Sequence, residues 1–425
     1  MSTDSLLNKK FKGSSLLATL ILSLIILITC GLMLLALYYF RFFSIRDAID
    51  QRLADDLESG TTLVLANTAI NRQPVHDSSL LFENNSPDSI YYTHELWGCF
   101  RAAGIKVSYK GRVKERAFLY SAAQFPYLDA SVYLADHDRP LSVTGDTYIE
   151  GKAYLPKSGI RSGFFQEKGF SRKNLIEGSI DSSKKELPFL QPEYRSYFRE
   201  LAVLANKKGG IHMPDNDQQS FLQEQKTILL PGNGTLTNQS FTGKLLLVSD
   251  SVIEVNSGAR LNNVLLVAPF IHFNSGFKGS VQAIALDSIT VESGCTFDYP
   301  SALVGAGRVN SIGNTSATVT IEPGSSLHGI ILALVENNNT NIKPVVKIKS
   351  GATVKGMVYN EGYTYLNGAV EGAVFTDFFF EQRGPMSMEN ILIDATIKSS
   401  KWFRQAGYFS IFTGAARQTV IQWLD

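Results

Sequence analysis

The stretch Ile253-Glu254-Val255-Asn256-Ser257-Gly258 carries the pattern from which the fold of this chain can be predicted. Apolar, polar and apolar residues alternate and a glycine closes the segment. Ile271–Gly276 and Ile289–Gly294 repeat this pattern at steps of 18 residues. Further copies follow at wider spacing, namely Val319–Gly324, Val346–Gly351 and Tyr363–Gly368. Recurring segments, each with one apolar face, predict a repeat architecture made of short strands.

Alignment on the glycines produces two apolar columns and one polar column. Alternate residues of a strand face opposite sides, so the apolar columns are predicted to point inward and the polar column to face solvent. The glycine provides a corner, where a positive φ is expected. The predicted inward residues are Ile253, Ile271, Ile289, Val319, Val346 and Tyr363, with Val255, Phe273, Val291, Ile321, Ile348 and Tyr365. The predicted outward residues are Glu254, His272, Thr290, Thr320, Lys347 and Thr364.

A repeat of this length, with each strand about 4.8 Å from its equivalent, predicts a mainly β chain with a parallel β-helix over residues 229–384. The handedness of the β-helix is left open. A β-sandwich is the alternative, but it does not explain the constant step. The glycine-punctuated rungs over about residues 240–375 resemble those of bactofilins, which are polymer-forming β-helix proteins, although this chain has longer loops and a preceding apolar segment.

The rest of the chain is divided by its composition. Residues 141–156 alternate like the repeats and are predicted to form a first rung. Residues 157–228 form a charged insertion that includes a helix beginning at Pro192. Residues 72–140 are expected to form an α+β joining region, and the aromatic residues within 385–425 suggest a cap over the end of the β-helix.

The N-terminal region carries a run without charge from Gly13 to Phe40. As a helix it spans about 42 Å, which exceeds the roughly 30 Å hydrocarbon core of a bilayer. A cleaved secretory signal is the competing interpretation, but its apolar region is usually only ~7–15 residues long. The run ends in Tyr38-Tyr39-Phe40-Arg41, which is typical of a retained anchor. Residues 13–40 are therefore predicted to be a single transmembrane helix.

The basic residues indicate the orientation of this anchor. Lys9, Lys10 and Lys12 precede the span, so residues 1–12 are predicted to be a cytoplasmic N-terminus or leader and the large C-terminal part to be extracytoplasmic. Residues 41–71 are predicted to form an amphipathic helix, because Ile45, Ile49, Leu53 and Leu57 recur every four residues. This stripe packs either on the chain's own domain or on another subunit.

The junction from Lys12 to Leu22 resembles the N-terminus of type IV pilin-like proteins, and the resemblance covers about residues 9–40. In that family a peptidase cuts after a leader glycine, and the exposed apolar helix packs in the core of a filament. The resemblance implies that Gly13 ends the leader and Ser14 begins the mature chain. Ala18 departs from the family, because major pilins carry Glu there, whereas some minor pilins lack it. A plain signal anchor is the alternative.

The sequence shows no motif for catalysis, cofactor binding or a metal site. Lys and Arg total 40 against 39 Asp and Glu, so a generally basic nucleic-acid binder is excluded. The three cysteines exclude a disulfide scaffold, although a pair between Cys99 and Cys295 is left open. None of the six histidines has metal-ligand spacing to another histidine or a cysteine.

Asp250 and Asp287 are the candidate residues for the one enzyme class considered, the glycan-cleaving β-helix proteins. Each precedes a serine at a predicted corner, two rungs apart, or about 9.6 Å. This separation lies at the limit of the ~6.5–9.5 Å range of inverting glycosidases. Asp-Ser at a corner is also ordinary turn chemistry, and that interpretation is favoured.

These observations predict a membrane-anchored, extracytoplasmic structural or scaffold protein rather than an enzyme. Its expected partners are the membrane and envelope or filament proteins, including other copies of itself, and a minor pilin-like subunit fits this description. The alternative is a surface protein that binds or cleaves polysaccharide. A row of aromatic and carboxylate residues along one solvent-facing strand would support that alternative.

Overall fold

A computed structural model describes residues 14–66, 79–80, 88–165, 168–205, 213–310, 313–335, 342–400, 403, 407–408, 410–414 and 416–424. The chain is mainly β with one long apolar helix at the N-terminal side, as the sequence predicts. Residues 1–12 and Gly13, the predicted leader, lie outside the described residues, as do parts of the predicted 41–71, 72–140 and 385–425 segments.

Two helices and 32 strands are present in the described part of the chain. The helices are α1 Ser14–Ala66 and α2 Pro192–Leu204. The first strands are β1 Ser79–Leu80, β2 Asp88–Trp97, β3 Phe100–Tyr109, β4 Arg112–Gln124, β5 Ala130–Leu134, β6 Leu141–Thr144, β7 Tyr148–Glu150, β8 Lys152–Leu155, β9 Ile160–Ser162, β10 Phe164–Phe165, β11 Lys168–Gly169 and β12 Ile180–Ser182. Next come β13 Asn216–Gln219, β14 Lys226–Leu229, β15 Gly234–Leu236, β16 Ser240–Gly243, β17 Leu245–Val248, β18 Val252–Val255, β19 Arg260–Phe273, β20 Lys278–Val291 and β21 Thr296–Gly305. The last are β22 Arg308–Asn310, β23 Gly313–Thr315, β24 Thr318–Ile321, β25 Ser326–Ala333, β26 Val345–Ile348, β27 Thr353–Leu366, β28 Ala369–Arg383, β29 Met386–Glu389, β30 Ile391–Ile393, β31 Thr396–Lys398 and β32 Ala416–Leu424.

The second half of α1 packs on an antiparallel sheet of β1–β4 and β32. Leu53, Leu57 and Val64 are buried there against Ile90 and Ile105. The described residues of the predicted segments 13–40 and 41–71 thus belong to one continuous helix, α1, which is described from Ser14 to Ala66. The described residues of 72–140, for which an α+β region is expected, contain strands but no helix of their own. The helix that packs on them is α1.

The repeats form a large closed sheet of mostly parallel strands. Its inner core contains all of the predicted inward residues except Tyr363 and Tyr365, and Ile253, Ile271 and Ile289 pair in register as the columns require. Four of the six closing glycines have positive φ, namely Gly276, Gly294, Gly324 and Gly351. Each strand buries its apolar face by pairing with the next strand, which carries the same pattern.

The predicted register of the sixth copy is wrong by one residue. Thr364 pairs with Val346 and is buried, so Tyr363 and Tyr365 are the outward residues of that strand. The turn is shorter here, because Leu366 stands two residues before Gly368 whereas Ile348 stands three before Gly351. A prediction that counts back from the glycine is therefore shifted by one residue, and it assigns each side chain to the wrong face of the strand.

Residues 141–156 are not a first rung preceding the repeats. β7 pairs with β31, and β8 pairs with β5, which in turn pairs with β28, so these strands extend the closed sheet beyond its C-terminal repeat. The description of 157–228 as an insertion is also wrong at both ends of that segment. β12 extends the same end by pairing with β8, whereas β13 and β14 begin the opposite end by pairing with β16 and β17. α2 lies between these segments as predicted.

A second core covers one outer face of the closed sheet. Leu265, Ile284 and Ile330 of the sheet belong to it, together with residues of α2 and of the antiparallel sheet, such as Phe198 and Phe100. The predicted cap at 385–425 is wrong, because β31 lies between β28 and β7 and is an internal strand. Phe403, Tyr408, Ile411 and Phe412 join the second core instead.

Other residues pack at the two ends of the closed sheet. Leu175 and Ile176 pack against the inner core near β12, and Met213 packs against it beside β13. Cys99 and Cys295 are free and lie in different cores, so they form no disulfide.

Candidate functional sites

The first half of α1 is the largest uncovered apolar surface of the described chain. Leu16, Leu27 and Leu34 are exposed, and Phe40 is 75% exposed, whereas Leu57 further along the same helix is only 4% exposed. α1 is the one described helix that is long and apolar enough to cross a membrane. An apolar surface of this extent marks an interaction with a membrane or with other apolar partners.

Polar contacts fix the direction in which α1 leaves the antiparallel sheet. Arg112 Nη1 donates to Asp50 Oδ1 at 2.6 Å, and Lys114 Nζ donates to the backbone oxygen of Asp50 at 2.8 Å. The Arg52 guanidinium lies 4.6 Å from the centroid of the Tyr109 ring. The apolar half of the helix is therefore held by a defined junction at residues 50–52.

Of the two residues predicted to flank the leader cleavage, only Ser14 is among the described residues. Gly13 lies outside the described residues, and Ser14 is the first residue of α1. Ala18, the position that departs from major pilins, lies on the exposed half of the helix.

Asp250 and Asp287 are not brought to equivalent positions. Val252, Phe270 and Ser288 pair in register, so Asp287 stands one residue before this row and Asp250 stands two before it. Asp250 is exposed and Asp287 is half-buried. The two carboxylates therefore do not form a matched pair across the strands.

Three polar residues follow one another at Asp136-His137-Asp138, and contacts within the chain hold the first two side chains. Asp136 Oδ1 accepts from the backbone N–H of Asp138 at 2.9 Å, and this bond lowers the pKa of Asp136. His137 Nε2 lies 2.6 Å from Asp377 Oδ1. No cluster of three or more potential metal ligands occurs in the described ranges.

Four half-buried rings lie together on the outer side of β27 and β28, namely Tyr363, Tyr365, Phe378 and Phe380. Sequence reasoning missed this group because it placed Tyr363 and Tyr365 inside. His137 stacks on the Phe378 ring at 4.2 Å, and Lys343 Nζ lies 4.4 Å from the centroid of the same ring. His137 and Lys343 thus contact the Phe378 ring, and the four rings pack on one another across β27 and β28, so the group joins neighbouring strands.

A second group of aromatic residues lines an open cavity of about 520 Å³, here called the aromatic cleft. Three separate segments of the chain form it. The first contributes Phe125, Pro126, Tyr127 and Tyr133, the second contributes Lys184, Lys185, Glu186, Leu187, Pro188 and Phe189, and the third contributes Thr413. The volume is within the ~300–1,000 Å³ range of ligand pockets. Phe189 is 67% exposed, although it adjoins the buried Leu190.

Buried contacts hold the floor and one wall of the aromatic cleft in place. Phe125 stacks on Phe412 with a centroid distance of 4.5 Å, and Tyr127 packs edge-on against Tyr133 at 5.1 Å. Burial raises the pKa of Tyr133 to about 12, so its hydroxyl remains a donor, and it donates to the backbone oxygen of Glu186 at 3.2 Å. The lysine-bearing wall is thereby tied to the ring beneath it.

None of the protein-family models, curated proteins or solved structures compared with this chain matches it.

Proposed function

We propose that this chain is a membrane-anchored, extracytoplasmic structural subunit of a cell-envelope filament or secretion assembly. The observation that carries the proposal is the division of α1 into two halves. Its first half is apolar and exposed, and its second half is buried on the antiparallel sheet. A subunit that inserts a helix in a membrane and later packs it among other helices requires such a division.

The N-terminal sequence supports a pilin-like route to this state. Gly13 stands immediately before Ser14, the first described residue, which already lies in α1, so cleavage after Gly13 would leave helical residues at the new N-terminus. Ala18 favours a minor rather than a major subunit, as its resemblance to pilins without Glu implies. The lysines of residues 1–12 favour a cytoplasmic N-terminus.

We further propose that the closed parallel sheet is a β-helix. Its support is the pairing of each repeat with the next at 18-residue steps, as between Ile253, Ile271 and Ile289. The bactofilin-like pattern would suggest stacking through open ends. Leu175, Ile176 and Met213 pack near those ends, which favours α1 over end-to-end stacking as the main assembly contact.

The test is the mass of the N-terminal peptide of the protein extracted from membranes of cells that contain a prepilin peptidase. We expect the chain to begin at Ser14, and we expect Gly13→Ala to block this cleavage. Ser14→Ala serves as the control, since it changes the neighbouring residue and keeps the leader glycine. A wild-type chain that begins at Met1 or Ser2 would contradict the pilin-like route and support a plain signal anchor.

A further inference from the structure

We infer that the aromatic cleft binds a polysaccharide that carries carboxylate groups. A pyranose ring has an apolar face of C–H groups and a rim of hydroxyls. The aromatic cleft has a matching division, because Phe189 and the half-buried Tyr127 expose ring surface over the buried Phe125 and Tyr133, and the exposed Lys184, Lys185 and Thr413 lie at the rim. Pockets of this kind use apolar contact for affinity and a few polar groups for orientation.

The exposed ring of Phe189 is the side chain best placed to contact a ligand. Its backbone is fixed, because Thr413 donates to the Phe189 oxygen through its backbone N–H at 2.9 Å and through Oγ1 at 2.6 Å. The ring itself remains 67% exposed beside the pocket. A ring on a fixed backbone binds a sugar face with little loss of conformational entropy.

The groups at the rim favour an anionic chain. Lys184 and Lys185 are adjacent and exposed, and Glu186 is the only acidic residue among those lining the aromatic cleft. This arrangement leaves one excess positive charge at the pocket. Because these side chains face water, their attraction for a carboxylate will weaken as salt is added.

An extended peptide fits the aromatic cleft less well than a glycan does. Peptides often bind by adding a strand to a free sheet edge. β5, which carries Tyr133, already pairs with β28 on one side and with β8 on the other. The backbone oxygens of Glu186 and Phe189 also accept hydrogen bonds within the chain.

The experiment is affinity electrophoresis of the full chain in micelles, through gels that contain polygalacturonate or its methyl ester. We expect polygalacturonate to retard the protein more than the neutral ester does. Phe189→Ala should weaken binding about tenfold, equivalent to ~1.4 kcal/mol, through loss of the stacking ring. The double variant Lys184→Ala/Lys185→Ala should remove the preference for the acidic polymer.

Phe164→Ala is the matched control, since Phe164 is 73% exposed but does not line the aromatic cleft. It should migrate like the wild type, and near-UV circular dichroism should show that every variant is folded. The inference is overturned if polygalacturonate does not retard the wild type, or if Phe164→Ala weakens binding as much as Phe189→Ala. It is also overturned if polyglutamate competes equally at the same carboxylate concentration, since the cleft would then bind acidic peptides.

Discussion

Substituting Gly356 with alanine should strongly destabilise the closed sheet. Gly356 lies between Gly329 and Gly372 on neighbouring parallel strands. A Cβ at Gly356 would lie 1.9 Å from the backbone oxygen of Gly329, and the φ angle is +149°. The obstacle is backbone that is fixed by strand pairing, so a side-chain rotation cannot relieve it.

Two costs add at this position. Overpacking in a well-packed region costs about 1–3 kcal/mol, and a sparsely populated backbone conformation costs roughly another 1–3 kcal/mol. We therefore expect Gly356→Ala to lower the free energy of unfolding by about 2–6 kcal/mol. Gly294→Ala is the control for backbone strain alone, because its φ is +74° and its Cβ would meet nothing within 4 Å. That variant should lose only about 1–2 kcal/mol.

The measurement is urea unfolding of the full chain in micelles, followed by far-UV circular dichroism. Gly169→Ala is a second control, because its Cβ would make only an ordinary 3.6 Å contact with the Phe164 side chain. The expected order of midpoints is wild type and Gly169→Ala highest, Gly294→Ala next and Gly356→Ala lowest. Equal midpoints for Gly294→Ala and Gly356→Ala would refute the idea that close strand contact requires this glycine.

Two further predictions concern the junction between α1 and the antiparallel sheet. Leu57→Ala should lower the free energy of unfolding by about 2–5 kcal/mol, because it leaves a cavity against the sheet. Leu27→Ala, on the exposed half of α1, should leave the urea midpoint unchanged. Equal midpoints for the two variants would contradict this packing. Burial raises the pKa of Tyr120 to about 12. Stability should therefore be insensitive to this group below about pH 10 and fall from there to pH 12, because the unfolded chain loses the proton first. Tyr120→Phe should reduce that alkaline loss in unfolding measured against pH, and an unchanged profile would contradict the assignment.

The central repeats could be predicted from the sequence because their alternation is local. Ile253, Val255 and Gly258 indicate the strand, its buried face and its end, and the same signals recur where the next strand pairs with it. At Tyr363–Gly368 these signals conflict. Tyrosine occurs on both the buried and the exposed face of strands, so it does not reveal which face points inward. The shortened turn changes the register, so alignment of the repeats on the glycine assigns the wrong residues to the buried face.

The positions of 141–156 and 385–425 could not be predicted in the same way. Val132 pairs with Val374, and Ile149 pairs with Ile397, across more than half of the chain. Such pairing depends on the path of the intervening residues and leaves no periodic signal in either strand. The sequence could show that these segments form strands, but it could not show which strands lie beside them.

The candidate sites differ in predictability for the same reason. The apolar half of α1 is one uninterrupted run, so composition alone reveals it. The aromatic cleft combines residues near Tyr127, Phe189 and Thr413, and none of these segments carries a binding motif. Its only local signal is Lys184-Lys185-Glu186-Leu187-Pro188-Phe189, where a phenylalanine follows charged residues and a proline.

The two ends of the described chain meet at the sheet on which α1 packs. β32 pairs with β4, and its Val420 packs with the cluster that holds Leu53 and Leu57 of α1. β4 is an edge strand until β32 is in place, and an unpaired edge is open to association with other chains. The sheet beneath α1 is therefore complete only when the last strand has folded. The direction in which α1 leaves this sheet thus depends on the distant strand β32, and not only on α1 and the strands that follow it.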